Sequence, residues 1–305
     1  MGVDEPNWPP EAVFAASGLT EQESAIRSRG WWLQVSDGYR LGVLSWPGLG
    51  QSRSDLVILH GVQSHAGWYH GLGRRLAAAG FSVHFPDRRG SGANPEARGH
   101  APSAERLVED VAEVVGAIRR GGGRVVLGGI SWGAKLAVVA SALGPEEVDG
   151  LVLICPGLEP RVGVGLREKL GVAGALATGQ AARRLFPIPL ADPALFTDNP
   201  DARQFIAGDP LSLRFGTAAL LFASRVLDRM VRRAQRQVRC PALLMLAGRD
   251  RIVDNARTRA YFEGLGSRAK TVIEYPEAHH TLDFEPEPDR YVRDLVNWLE
   301  AVGLG

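Results

Sequence analysis

Short apolar runs recur along this chain at 56–59, 81–85, 125–127, 151–154, 242–247 and 271–275, with helical stretches between them. Few folds accept that alternation. The runs are apolar on both faces, as strands must be when a sheet is covered on each side, and strands of that kind are mostly parallel. A parallel pair needs a crossover, and the intervening helices supply it. The clearest helix is expected over 103–120, where Leu107, Val108, Val111, Val114, Val115 and Ile118 make one stripe, Ser103 caps the start and Gly121 to Gly123 stop it. Ahead of these, Asp37-Gly38 joins two β-prone runs and predicts an antiparallel hairpin at the sheet's edge. Residues 1–28 read as an arm or a short capping helix.

The alternation breaks once. Residues 157–237 hold proline-bearing joints and two helical stretches but no convincing strand. A segment that long inside a compact domain needs a role, and a lid over a site is the usual one. The expected organisation is a core of 1–156 and 238–305 with a helical cap at 157–237. Phe215, Ala218, Ala219, Phe222, Val226 and Met230 fall on one face there. On that spacing Phe215 and Phe222 are expected to face a substrate.

Bulk composition mainly excludes. In 305 residues, 35 basic side chains balance 34 acidic ones, so no basic excess points to a nucleic-acid partner. Two cysteines, Cys155 and Cys240, are too few for a disulfide framework and read as small buried hydrophobes. No apolar stretch approaches the ~20 residues of a membrane span, and the first residues show no secretory pattern, so a cytoplasmic location is expected. No metal or cofactor motif is visible, and none is expected.

Gly129-Ile130-Ser131-Trp132-Gly133 carries the chemistry. This G-x-S-x-G follows an apolar run and precedes a helical one, the strand–turn–helix setting in which a serine is pushed out at the carboxyl end of a sheet. Ala134-Lys135-Leu136 excludes the phosphate-loop reading, because no hydroxyl stands where magnesium would need one. A nucleophilic serine needs a base, and the base needs an orienting acid. His279 and His280 follow the last apolar run, and Asp250 follows the one before it. The order Ser131, Asp250, His280 is the one this arrangement uses. Asp254 fits a helix cap better. An oxyanion would be held by the backbone N–H of Trp132 and by one from the loop after 56–59, where Val62 is the expected donor.

On these residues the chain resembles the α/β-hydrolase superfamily, and within it the monoacylglycerol lipase, lysophospholipase and serine aminopeptidase-like group. His60-Gly-Val-Gln-Ser-His-Ala-Gly-Trp-Tyr69 is similar to that group's His-Gly-Leu-Gly-Glu-His-Ser-Gly-Arg-Tyr. Pro86 to Gly92 is similar to its Asp-x-Arg-Gly-x-Gly turn, and Ala278-His279-His280 to its Ala-x-His, which favours His280 over His279. The resemblance implies an α/β-hydrolase core with an inserted cap. It also implies a carboxylic-ester hydrolase acting on a small-molecule ester of short to medium acyl, monoacylglycerol or lysophospholipid type. Gln63 replaces a glycine of the group's oxyanion loop and Trp132 a smaller residue after the serine. Gln63 is therefore expected at the substrate, to narrow the pocket or to add a donor, and Trp132 is expected to shrink the space at the acyl site. An exopeptidase on the same machinery would need an acid for a substrate amine, from Glu159, Glu168 or Asp209. A binding protein on a silent fold would have lost a member of the set.

Overall fold

The computed structural model describes residues 5–9, 18–50, 53–163, 165–177 and 182–305. The expected arm at 1–28 is therefore seen only in part: residues 1–4 and 10–17 lie outside the described residues, and a one-turn helix α1 (Glu21–Ala25) is capped by Thr20.

Eight strands form one sheet. In chain order they are β1 (Arg29–Gln34), β2 (Arg40–Trp46), β3 (Asp55–Leu59), β4 (Ser82–Pro86), β5 (Val125–Ile130), β6 (Gly150–Ile154), β9 (Ala242–Ala247) and β10 (Lys270–Tyr275). Their spatial order is β1-β2-β4-β3-β5-β6-β9-β10, antiparallel at the first two pairings and parallel from β4 onward. The Asp37-Gly38 hairpin joins β1 and β2, with Gly38 at φ +86°. Every residue of β5, β6 and β9 is buried, so both faces of the sheet's centre are covered. The covering helices include α2 (His70–Ala78), which packs on α9 (Pro288–Ala301), and α3 (Ala104–Arg119), which packs on α4 (Gly133–Leu143). Ser103 caps α3 as expected, accepting from Arg106 N at 3.1 Å. Helix α8 (Asn255–Glu263) lies against β9.

β6 and β9 are neighbours in the sheet, yet α5 (Leu166–Ala177), β7 (Leu185–Pro187), α6 (Pro200–Gly208), β8 (Phe215–Thr217) and α7 (Ala218–Ala234) intervene in the chain. The insertion leaves from the carboxyl end of the parallel strands, where ligands meet this kind of sheet. It also corrects one expectation. β7 and β8 pair as a short antiparallel ribbon, too brief to announce itself by periodicity. Among the described residues, no helix is long and apolar enough to cross a membrane.

Candidate active site

Ser131 stands at the turn between β5 and α4 with φ +51°, a conformation costly for a residue bearing a Cβ. The turn is held by Ser131 N donating to Ile154 O at 3.0 Å, and by Gly157 N donating to Ser131 O at 2.7 Å. Its flanking glycines are there for space. A Cβ on Gly129 would lie 2.4 Å from Ala134 Cα, and one on Gly133 2.3 Å from Leu59 O. The backbone crossing that sets the serine at the end of β5 thus admits no side chain at either position.

The parallel register brings the carboxyl ends of β5, β9 and β10 to one edge, and with them three side chains far apart in sequence. His280 Nε2 lies 2.8 Å from Ser131 Oγ, and His280 Nδ1 lies 2.7 Å from Asp250 Oδ2. The carboxylate can only accept, so Nδ1 carries the proton and the Nε2 lone pair faces the hydroxyl. Asp250 Oδ1 accepts from the N–H groups of Ile252 and Val253 at 2.8 and 2.9 Å, which fixes the carboxylate in turn. Asp254 does otherwise, capping α8 through Arg257 N at 3.0 Å. His279 points to Asp198 and Glu285, at 2.9 and 3.2 Å.

Val62 and Trp132 both line the large cavity at Ser131. Their backbone N–H groups donate to no acceptor among the described residues. Arg88 braces both residues: its Nη2 donates to Val62 O at 2.9 Å, and its guanidinium sits 5.1 Å from the Trp132 ring centroid. His60 fixes the same loop. Its Nδ1 donates to Gly61 O at 2.7 Å and its Nε2 accepts from Arg88 N at 3.0 Å, while burial holds it neutral, well below the ordinary histidine range. Sequence reasoning saw Arg88 only as part of a turn.

The large cavity has a volume of about 240 Å³ and mostly apolar walls, among them Ile188, Leu190, Leu220, Leu221 and Ile252. Phe215 and Phe222 are not among its walls. They stand half exposed on the outside of the insertion, and their expected place at the substrate is corrected. Helix α7 is apolar on more than one side. Its buried residues are Ala218, Ala219, Leu220, Ala223, Leu227, Val231 and Ala234, so of the expected stripe the two alanines are buried while Phe222 is exposed, and the helix packs on α4. Two polar contacts fix that packing: Trp132 Nε1 donates to Ser224 Oγ at 2.9 Å, and Lys135 Nζ lies 2.6 Å from Asp228 Oδ1. A stripe at 220, 224 and 228, four residues apart, was the signal that could have found these partners.

Gln63 is buried beside Ser131 in a second, small cavity of about 10 Å³. Of the acids that could hold a substrate amine, Asp209 is committed elsewhere. It accepts from His65 Nε2 (2.9 Å), Trp68 Nε1 (2.7 Å) and Ser212 Oγ (3.0 Å). Burial pushes this carboxyl up, but those bonds outweigh it and bring it to about 2. Glu159 and Glu168 do not line the cavity, and Asp228, which does, is held by Lys135 and Arg225. Both cysteines are free; Cys155 is buried and Cys240 half-buried.

The family described as serine aminopeptidase, S33, matches residues 50–287. Over 271 residues the chain is 27% identical to the monoacylglycerol lipase of Mycolicibacterium smegmatis, spanning 86% of this chain and 93% of that one. It is also 27% identical over 270 residues to the monoglyceride lipase of Homo sapiens, spanning 87% and 88%. The crystal structure of the Paleococcus ferrophilus monoacylglycerol lipase is similar at a TM-score of 0.75 and 26% identity, across 86% of this chain and 99% of the other.

Proposed function

The chain belongs to the serine aminopeptidase S33 family, and from that premise we propose that it hydrolyses carboxylic esters through an acyl-enzyme on Ser131. The observation that carries the reading is the continuous relay from Asp250 Oδ2 through His280 to Ser131 Oγ, opening on an apolar cavity. Ser131 Oγ attacks the acyl carbonyl while His280 Nε2 takes its proton. Asp250 keeps the imidazole in the tautomer whose lone pair faces the serine. The amides of Val62 and Trp132 receive the oxyanion. His280 then returns the proton to the departing alcohol. Residues 157–237 serve as the cap over this centre.

The substrate is a small ester whose apolar part fills the cavity, of the monoacylglycerol-like kind that the names of the relatives carry. Peptide amides fit less well. An aminopeptidase needs a carboxylate for the substrate's ammonium group, and the one acid among the cavity's described lining residues, Asp228, is already held by Lys135 and Arg225.

A fluorophosphonate probe tests the assignment, since only an activated serine reacts with it quickly. The wild-type protein should be labelled at Ser131 and the Ser131→Ala variant should be neither labelled nor active on p-nitrophenyl butyrate. Turnover by Ser131→Ala near the wild-type rate overturns the reading. Faster cleavage of amino-acid arylamides than of any ester overturns the substrate class alone.

A further inference from the structure

Two cavities meet at Ser131, and the mechanism so far uses one. The small cavity shares Val62, Ser131 and Leu190 with the large one and is also lined by Gln63, Ser64 and His280. Its volume of about 10 Å³ is the size at which one water fits, and no ester alcohol does. Its walls are mostly apolar, so the few polar groups set in them stand out. Gln63 is 2% exposed, yet its side-chain Nε2 reaches no acceptor among the described residues. A buried donor without a partner is costly, so the arrangement calls for an oxygen atom from outside the protein. Among the described residues Ser64 Oγ has one partner, Tyr69 OH at 3.1 Å, and retains capacity for another.

We propose that this cavity seats the water that hydrolyses the acyl-enzyme, and that Gln63 is the residue that positions it; the inference rests on the acyl-enzyme reading above. The Gln63 amide donates to the water oxygen, leaving one lone pair for attack. His280 Nε2, freed when the alcohol departs, accepts a proton from that water as its oxygen bonds to the acyl carbon. The tetrahedral adduct then collapses: the bond from carbon to Ser131 Oγ breaks, His280 returns the proton to Oγ, and the carboxylic acid leaves. Glycine at position 63 would offer no such donor, so the departure from the resembling loop acquires a purpose in the second half-reaction.

Stopped-flow release of p-nitrophenol from p-nitrophenyl butyrate separates the two half-reactions. In Gln63→Met and Gln63→Leu the deacylation rate constant should fall about tenfold or more, the worth of one hydrogen bond to the attacking water, while acylation stays within about threefold. Acyl-enzyme seen by intact mass should rise, and added methanol should capture a larger share of it. Titration with the fluorophosphonate probe counts the folded active sites, so a poorly folding variant lowers the count and leaves the rate constants readable. An equal fall in acylation, or no change in deacylation, overturns the proposal while leaving the serine chemistry intact. A wild-type enzyme that turns the ester over while a fluorophosphonate leaves Ser131 unlabelled and uninhibited overturns both.

Discussion

Ser131 holds a left-handed backbone conformation that costs a β-carbon-bearing residue about 1–3 kcal/mol, and hydrogen bonds from both sides of the turn maintain it. Strain there is useful, because it projects Oγ beyond the sheet toward His280. The adjacent histidines illustrate how finely role depends on position. His280 joins Asp250 and Ser131, whereas His279, one residue earlier, faces the carboxylates of Asp198 and Glu285. His280→Ala and Asp250→Asn are each expected to lower kcat by about 10⁴, the scale of a broken relay. His279→Ala and Asp254→Asn should cost far less in kcat, since neither touches the serine. Steady-state kinetics on one aryl ester, normalised by circular dichroism for folded protein, rank the four variants. The opposite order within either pair contradicts the assignment.

At the scale of elements, the contact that matters most is α4 against α7, since it joins the helix that follows the nucleophile to the insertion above it. Lys135 is nearly buried, and Asp228 of α7 is its carboxylate partner. Removing one member of such a pair leaves a charge in poor solvent and costs about 3–5 kcal/mol, whereas replacing both by apolar residues is often neutral. Asp228→Ala should therefore lower stability by about 3 kcal/mol in urea denaturation, and Lys135→Met with Asp228→Leu should recover most of it. A single variant as stable as wild type removes the pair from any account of how the cap is held. Only the four-residue spacing of 220, 224 and 228 hints at this pairing in the sequence. Lys135 entered only as the one residue of Ala134-Lys135-Leu136 that a phosphate loop would share, and the helical stripe was placed through Phe215 and Phe222, which turn outward.

For the whole molecule, the size of the cavity sets the range of substrates. About 240 Å³ lies below the usual span for drug-sized ligands, and Trp132 forms part of its wall. Each methylene buried there is worth up to ~0.8 kcal/mol, about fourfold in kcat/KM, until the room is filled. Across p-nitrophenyl esters from acetate to palmitate, kcat/KM should climb through the short chains, peak at medium length and then fall. A steady rise to palmitate would show that the cap opens to longer chains and would remove the size argument.

The alternation of apolar runs and helical stripes sufficed for a mostly parallel sheet, and the glycines at 129 and 133 for a tight turn at Ser131. Both depend on short-range rules: side-chain period, helix capping and the space a Cβ needs. Chain order pointed to Asp250 and the resembling Ala-x-His to His280, and the fold brings both side chains to Ser131. What faces what across the cap was decided only by tertiary packing. Phe215 and Phe222 turned outward, Ser224 and Asp228 met Trp132 and Lys135, and Arg88 came to brace the loop of Val62. Those contacts join residues dozens of positions apart, and a helix turned by one residue, about 100°, exchanges its inner and outer faces without altering the apolar content from which the helix is read.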